Sequence, residues 1–254
     1  MKKLVSCLSL ALAMSLGSLS ACGTTPGRAI AFAVEVAGAD LPPFVTSTGW
    51  QVTLEEASIS LGPVYVYAPE PAPVVALSRA LVPLARAHGG TDPFGQRELR
   101  AEILEQHPID ALDGAPQPLG IAVGSEGDSS DLVLALAPPH APSDASHGRT
   151  LWIAGLAEKD GALVPFEGGL DFPDEGLARF VEGVPIAAHM DSLGTLRIEL
   201  HVERWLDQAH FDRLEMRGGD RATITDGDQV SLAWRLGARH PDAYGARWIA
   251  GEAR

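Results

Sequence analysis

Cysteine is nearly absent from this chain. Its 254 residues contain only Cys7 and Cys22, and both stand near the start. Cys7 lies inside an apolar leader and Cys22 ends it, so removal of the leader and modification of Cys22 would use up both. The remaining chain then forms no disulfide and offers no thiolate metal ligand or thiol nucleophile. Such a domain depends on its hydrophobic core for stability.

Positive charge is also scarce. The chain has 19 Lys and Arg against 33 Asp and Glu. Loss of residues 1–21, which include Lys2 and Lys3, leaves 17 basic residues and a net charge of −16 with His neutral. Such a surface repels nucleic acid and anionic lipid headgroups, so we expect neither as a partner.

The motifs of the large enzyme classes are missing. There is no G-x-S-x-G turn, no P-loop, no Gly-rich dinucleotide fingerprint after a strand and no H-E-x-x-H. We therefore expect a protein that is not an enzyme and holds no cofactor. A hydrolase whose Ser, His and carboxylate come from distant positions stays open as an alternative.

The first 22 residues have the parts of a bacterial export signal. Lys2 and Lys3 precede an apolar run from Leu4 to Leu19, and small residues lead to Cys22. The run is shorter than the roughly 20 residues of a membrane-spanning helix. Leu19-Ser20-Ala21-Cys22 resembles the lipobox of bacterial lipoproteins. The resemblance implies a signal peptide over residues 1–21 and a diacylglycerol on Cys22.

Lipid on Cys22 has consequences for location. Two or more acyl chains hold a protein stably on a membrane. Gly23 follows the anchor, and in enteric lipoproteins a residue other than Asp there favours the outer membrane. Residues 22–28 form a short polar tether that reaches on the order of 20 Å. We expect an envelope protein, outer-membrane anchored and facing the periplasm or the surface, with the membrane as partner.

The rest of the chain, residues 29–254, reads as a single β-rich domain. Period-2 alternation predicts strands, and a phase shift between Leu54 and Ala57 predicts a bulge. Gly62-Pro63 separates two predicted strands. Many short strands without a βαβ rhythm predict a mainly β fold, an antiparallel β-sandwich or barrel-like domain with few short helices. The predicted strands include residues 30–36, 50–61, 64–67, 132–136 and, as the last core strand, 230–236.

One hairpin has a strong turn signal. Asp160-Gly161 is typical of a two-residue type I′ turn. Closing the hairpin there pairs Ala157 with Val164 and Gly155 with Phe166, which places apolar residues or Gly on one face.

A second hairpin is predicted around Ser192-Leu193-Gly194, which fits a three-residue loop. Its register pairs Met190 with Leu196 and Ala188 with Ile198. Two stretches stay ambiguous: residues 96–106 form a helix or an edge strand, and Pro83 opposes a continuous helix over residues 74–87.

Eight histidines make copper or zinc binding the main alternative function. The candidate ligands are His88 and the loop residues His140 and His147. In the second hairpin, His189 and His201 would lie roughly 13 Å apart along the strands. Ligands of one ion lie about 2 Å from the metal, so these two do not share one.

Two tyrosines are candidates for ligand binding. Tyr65 and Tyr67 lie on one side of their strand. If that side faces solvent, they form a small stacking platform for a carbohydrate or peptide. Otherwise they pack beneath the Pro-rich linker over residues 69–73.

Two further segments have structural interpretations. Asp226-Gly227-Asp228 resembles part of a calcium loop but lacks the terminal Glu, and is more typical of a turn. Residues 205–214 predict a short helix or turn with Trp205 and Phe211 against the core.

The order of several short motifs resembles uncharacterised exported lipoproteins of predatory and social soil-dwelling proteobacteria. The resemblance covers most of the mature chain and implies a lipid-anchored β domain. Some of those proteins have a His cluster near the position of His88, where this chain has one His. The motifs are Gly49–Leu54, Leu61–Tyr65, Ile109–Leu112, Trp205–Asp207 and Phe211.

These observations favour a lipid-anchored protein with a non-catalytic binding or envelope-structural domain. The alternatives are a copper- or zinc-binding lipoprotein and a hydrolase with a dispersed site.

Overall fold

The computed structural model describes residues 27–70, 97–140, 147–173, 177–191, 193–216 and 219–251. Residues 28–69 and 97–254 form one compact unit. The other unit, residues 1–27 and 70–96, is described only at Gly27 and Glu70. Strands make up 53% of the described residues, which confirms the mainly β prediction. No helix among the described residues is long and apolar enough to cross a membrane.

Thirteen strands belong to one sheet in the described ranges. The helical segments in these ranges are helix α1 (Gln229–Ala238) and 3₁₀ turns at Leu177–Arg179, Val202–Leu206, Phe211–Arg213 and Pro241–Ala243. The strands are β1 (Ala29–Ala37), β2 (Phe44–Val45), β3 (Gln51–Tyr67), β4 (Leu99–Ile103), β5 (His107–Asp110), β6 (Gln117–Ser125), β7 (Gly127–Leu136), β8 (Leu151–Lys159), β9 (Ala162–Leu170), β10 (Phe180–Met190), β11 (Thr195–Leu200), β12 (Ala222–Ile224) and β13 (Tyr244–Ile249).

The sheet follows the order β12-β9-β8-β3-β4-β6-β1-β11-β13 and branches at β3, where β7 and then β10 are added. Only the pairs β1–β11 and β9–β12 are parallel among the described strands. The first part of β3 pairs with β8, and its last part pairs with β4 and β7. Strand β3 therefore connects the part of the sheet that contains β8 with the part that contains β4 and β7. The sheet is not closed and is consistent with a β-sandwich-like domain.

Strand β3 confirms one expectation and corrects another. The register with β8 shifts between Leu54 and Glu56, where the phase of the sequence pattern predicts a bulge. The strand does not end at Gly62-Pro63 as expected. It continues to Tyr67 with a second register shift between Leu61 and Val64, because both sides still find pairing partners.

The hairpin of β8 and β9 confirms the predicted register. Ala157 pairs with Val164 and Gly155 pairs with Phe166. Asp160 and Gly161 take φ angles of 52° and 80°, the left-handed conformation that a type I′ turn requires. The turn residues and the apolar face both predict this register, because the two strands are adjacent in sequence.

The second hairpin, predicted around Ser192-Leu193-Gly194, is wrong. Strand β10 pairs with β7, so that Met190 lies opposite Gly127. Strand β11 lies between β1 and β13, with Leu196 beside Val34 and Trp248. The apolar alternation of both strands suits any partner with an apolar face. The distance expected between His189 and His201 therefore has no basis.

The last core strand predicted at residues 230–236 is also wrong, because this segment is helix α1. Its buried residues recur at helical spacing, with Val230, Trp234 and Ala238 facing the core. Leu232 and Leu236, which the strand pattern would bury, are 51% and 71% exposed.

The segment before α1 packs as predicted. Trp205 and Phe211 are fully buried beside short 3₁₀ turns. The Phe211 ring contacts the rings of Phe166 and Trp50, with centroids 4.8 Å and 5.6 Å away. In the region left open between helix and edge strand, β4 is a strand inside the sheet, between β3 and β6. Residues 74–87 lie outside the described ranges.

Candidate functional site

A cleft lies where the chain leaves two parallel neighbouring strands. Strands β9 and β12 pair in parallel, with Phe166 opposite Ala222 and Gly168 opposite Ile224. Their carboxyl ends therefore lie at the same edge of the sheet. The segments that follow them, residues 171–173 and 226–227, line the cleft together with side chains of α1.

The turn before α1 is fixed by its own hydrogen bonds. Asp228 is the N-cap, and its carboxylate accepts from the backbone N–H of Ser231 at 2.7 Å and of Thr225 at 2.7 Å. Gly227 has a φ of 88°, a conformation that favours glycine. Asp226-Gly227-Asp228 is thus a turn and helix cap, because helix and turn N–H groups occupy the Asp228 oxygens.

Arg235 joins the two sides of the cleft. Its guanidinium donates to the backbone carbonyl oxygen of Asp171 at 2.8 Å and to the Asp226 carboxylate at 2.8 Å. It also lies over the Phe172 ring, 5.4 Å from the centroid. The side chain is 25% exposed, whereas its partner Asp226 is 86% exposed. The Asp171 carbonyl therefore orients the Arg235 guanidinium from the protein side. On the solvent side, the guanidinium contacts the exposed Asp226 carboxylate.

The cleft combines apolar and charged surface. It has a volume of about 590 Å³ and is open to solvent. Its apolar lining comes from Phe172, Pro173 and Leu232. Leu232 is half exposed on the outer face of α1, and Leu236 is 71% exposed one helical turn later. The cleft is a shallow groove, and Leu232 and Leu236 extend its apolar surface along the outer face of α1.

Two carboxylates that line the cleft, Asp171 and Asp226, are each paired with an arginine. Asp171 pairs with Arg149 at 3.1 Å and accepts from the backbone N–H of Thr150 at 2.9 Å. Asp226 pairs with Arg235 in solvent, where such a pair contributes about 0–1 kcal/mol. An anionic group of a ligand can therefore exchange with Asp226 at little cost.

His147, one of the candidate metal ligands, lies in a different cluster. Its ring stacks on Trp152 with centroids 4.1 Å apart, and its Nε2 lies 3.4 Å from the Glu56 carboxylate. Trp152 donates its indole N–H to the same carboxylate at 3.1 Å. The other described candidate, His140, is exposed. His88 lies outside the described residues.

The other described histidines are dispersed. Each of four lies within 4.0 Å of a different carboxylate: His189 of Asp128, His201 of Glu203, His210 of Asp212 and His240 of Asp242. No group of three His, Cys, Asp or Glu side chains in the described ranges could hold a metal ion. Metal binding that involves His88 stays a prediction.

His189 has the clearest electrostatic environment. Its Nδ1 lies 2.8 Å from Asp128, and its Nε2 lies 3.8 Å from Glu126. The hydrogen bond with Asp128 and the two negative charges raise the pKa of His189 above its ordinary value of 6.5.

The tyrosine pair does not form an exposed platform. Tyr67 has an exposed fraction of 0%, and Arg97 lies over its ring at 4.2 Å. Tyr65 is half-buried on the same strand. Burial of Tyr67 removes the two-ring stacking surface, and residues 71–73 of the linker are outside the described ranges.

Cys22, the expected lipid attachment site, and residues 1–21 also lie outside the described residues. Lipid attachment therefore stays a prediction from the sequence.

No family model matches this chain, and the search of curated proteins found no match. Among solved structures, the chain has a slight similarity to MbnP from Methylosinus trichosporium, at 11% identity and a TM-score of 0.38. The match covers 83% of this chain and 88% of that chain. At this level, neither a site nor a function carries over.

Sequence reasoning missed the cleft because it assigned α1 to a strand. Two signals pointed to the helix. Asp228 is a favoured N-cap residue three positions before Ser231, and Val230, Trp234 and Ala238 recur at helical spacing. On a helix, Leu232 and Arg235 lie on neighbouring turns of one face, which is the face that lines the cleft.

Proposed function

We propose that this protein is a lipid-anchored envelope protein that binds a small amphipathic ligand in the cleft beside α1. The ligand has an apolar group and one anionic group. The observation that carries the proposal is Arg235, which is oriented by the Asp171 carbonyl while its second partner, Asp226, is in solvent.

The lining supports this ligand chemistry. An apolar group would cover Phe172, Pro173 and the exposed side of Leu232. An anion would replace Asp226 as the acceptor of the hydrogen bond from the Arg235 Nη2, while Nη1 keeps its bond to the Asp171 carbonyl. Arg235 is the cation that lines the cleft among the described residues, which favours a ligand with a single negative charge.

The anchor is supported by the sequence alone. The Lys2-Lys3 start, the apolar run and Leu19-Ser20-Ala21-Cys22 occur in the order that export and lipidation need. We place the protein in the cell envelope, on the outer membrane and facing the periplasm or the surface. We propose no catalytic activity, because no catalytic motif occurs in the sequence.

The experiment uses 8-anilinonaphthalene-1-sulfonate, a fluorescent probe with apolar rings and one anionic group. We expect saturable binding to the wild-type protein and several-fold weaker binding to Arg235→Gln and Leu232→Glu. Arg247→Gln and Leu163→Glu are matched controls, since Arg247 and Leu163 are exposed and do not line the cleft. Equal loss in the controls, or no loss in the cleft variants, would overturn the proposal.

A further inference from the structure

An exposed apolar patch lies on the outer face of the sheet at the start of β1. It consists of Ala31 and Ala33 of β1 and Ile121 and Val123 of β6. The residues form two rows across the strands, with Ala31 opposite Val123 and Ala33 opposite Ile121. Ile121 is 57% exposed and Val123 is 64% exposed. Two large β-branched side chains and two alanines therefore form one contiguous apolar surface.

The rest of the face changes character along β1. The row with Ala33 continues through Thr195 of β11 to Ile249 of β13, without a charge. The next outward-facing row contains Glu35, which pairs with Arg197 at 2.6 Å. Successive outward residues of a strand lie about 7 Å apart. Charges also lie at the start of β1, where Arg28 pairs with Glu126 at 3.3 Å and Arg100 contacts Ser125, the partner of Ala29. The apolar rows at Ala31 and Ala33 are therefore bordered by ionic groups on both sides along the strand.

The patch lies near the end of β1 that the tether holds. Only residues 23–28 separate Cys22 from Ala29, and they span on the order of 20 Å when extended. A lipid on Cys22 therefore keeps the start of β1 close to the bilayer surface. The ionic row at Glu35 lies further along the strand.

We propose that this patch rests on the lipid surface to which Cys22 is anchored. The inference rests on the lipid anchor of the proposed function. Ile121 and Val123 enter the interfacial region, and Ala31 and Ala33 allow close approach of the sheet. The patch contains no charged side chain, which suits an acidic protein that anionic headgroups repel.

A second copy of the chain is a less suitable occupant. Stable protein interfaces bury about 800 Å² per partner and involve roughly 20–30 residues a side. The patch has four side chains and is bordered by Glu102, opposite Val123. A bilayer needs no complementary shape, so a small patch is sufficient once the lipid holds it near.

The test uses the full lipoprotein in vesicles of zwitterionic phosphatidylcholine with a fraction of doxyl-labelled lipid. Cysteines replace Ile121 or Val123 and are labelled with a fluorophore. Leu163→Cys is the matched control: Leu163 is 60% exposed, and its strand β9 lies four steps from β6 in the sheet. We expect several-fold stronger quenching by doxyl lipid at residues 121 and 123 than at residue 163.

The outcomes separate this inference from the anchor. The mature chain has no thiol other than Cys22, so labelling of the wild-type protein would reveal an unlipidated Cys22 and contradict both. With Cys22 lipidated, equal quenching at residues 121 and 163 would overturn the membrane contact and leave the anchor standing. Shielding of residue 121 without lipid quenching, together with a doubled mass on cross-linking, would indicate a second copy and also overturn it.

Discussion

Arg235 of helix α1 donates a hydrogen bond of 2.8 Å to the backbone carbonyl oxygen of Asp171, which follows strand β9. This contact connects the helix to the edge of the sheet and orients the guanidinium toward the cleft. It therefore has a structural effect that can be measured separately from ligand binding.

Arg235→Gln should lower the free energy of unfolding by about 1–3 kcal/mol, chiefly because it removes the charge-assisted hydrogen bond to the Asp171 carbonyl, since the exposed pair with Asp226 contributes about 1 kcal/mol or less. Urea unfolding followed by circular dichroism measures the change. Arg247→Gln is the control, since its pair with Glu199 is exposed and contributes about 1 kcal/mol or less. Equal losses in both variants would show that the Asp171 contact has no special role.

Tyr244→Phe should destabilise the protein by about 1 kcal/mol. The Tyr244 hydroxyl donates to the carbonyl oxygen of Ala238, the last residue of α1, at 2.7 Å. Burial of the phenol raises its pKa above the ordinary value of 10.0, so the group stays a donor over the physiological range. Thermal unfolding of the variant tests this contact, and an unchanged melting temperature would rule out its contribution.

His189 should titrate above pH 6.5 in the folded protein, because its hydrogen bond with Asp128 raises its pKa. The pair's contribution to stability is then fully present below pH 6.5 and is lost as the pH rises through the folded pKa. Nuclear magnetic resonance of the imidazole protons measures the titration. In Asp128→Asn the pKa should move toward 6.5; the same pKa in both proteins would contradict the assignment.

Gly161→Val should cost about 1–2 kcal/mol, because Gly161 has a φ of 80° and side chains are strained there. Gly161→Asn is the control, since Asn adopts left-handed conformations more readily. Chemical unfolding of both variants measures the difference. If Val is tolerated as well as Asn, the turn conformation is not what fixes the hairpin.

The sequence predicted the elements whose signals are local. Asp160-Gly161 fixed the register of β8 and β9, and the phase shift after Leu54 located the bulge in β3. Trp205 and Phe211 were correctly expected in the core. Each of these depends on residues within about a dozen positions of one another.

The elements with distant partners were not predictable in this way. Strand β11 pairs with β1, about 160 residues earlier in the chain. The alternating apolar pattern of either strand is compatible with many partners, so it does not predict this pairing. Val230 to Leu236 alternate in hydropathy and also recur at helical spacing, so the pattern permitted either structure. The cleft was missed for the same reason, because it depends on α1 and on the parallel pairing of β12 with β9.

The most direct test of the account is the intact mass of the mature N-terminal peptide from the membrane-extracted protein. We expect a peptide that begins at Cys22 and carries a thioether-linked diacylglycerol, and we expect Cys22→Ser to leave the membrane fraction. A chain that retains residues 1–21, or one that begins elsewhere with a free Cys22 thiol, would contradict the lipid anchor on which the proposed function depends.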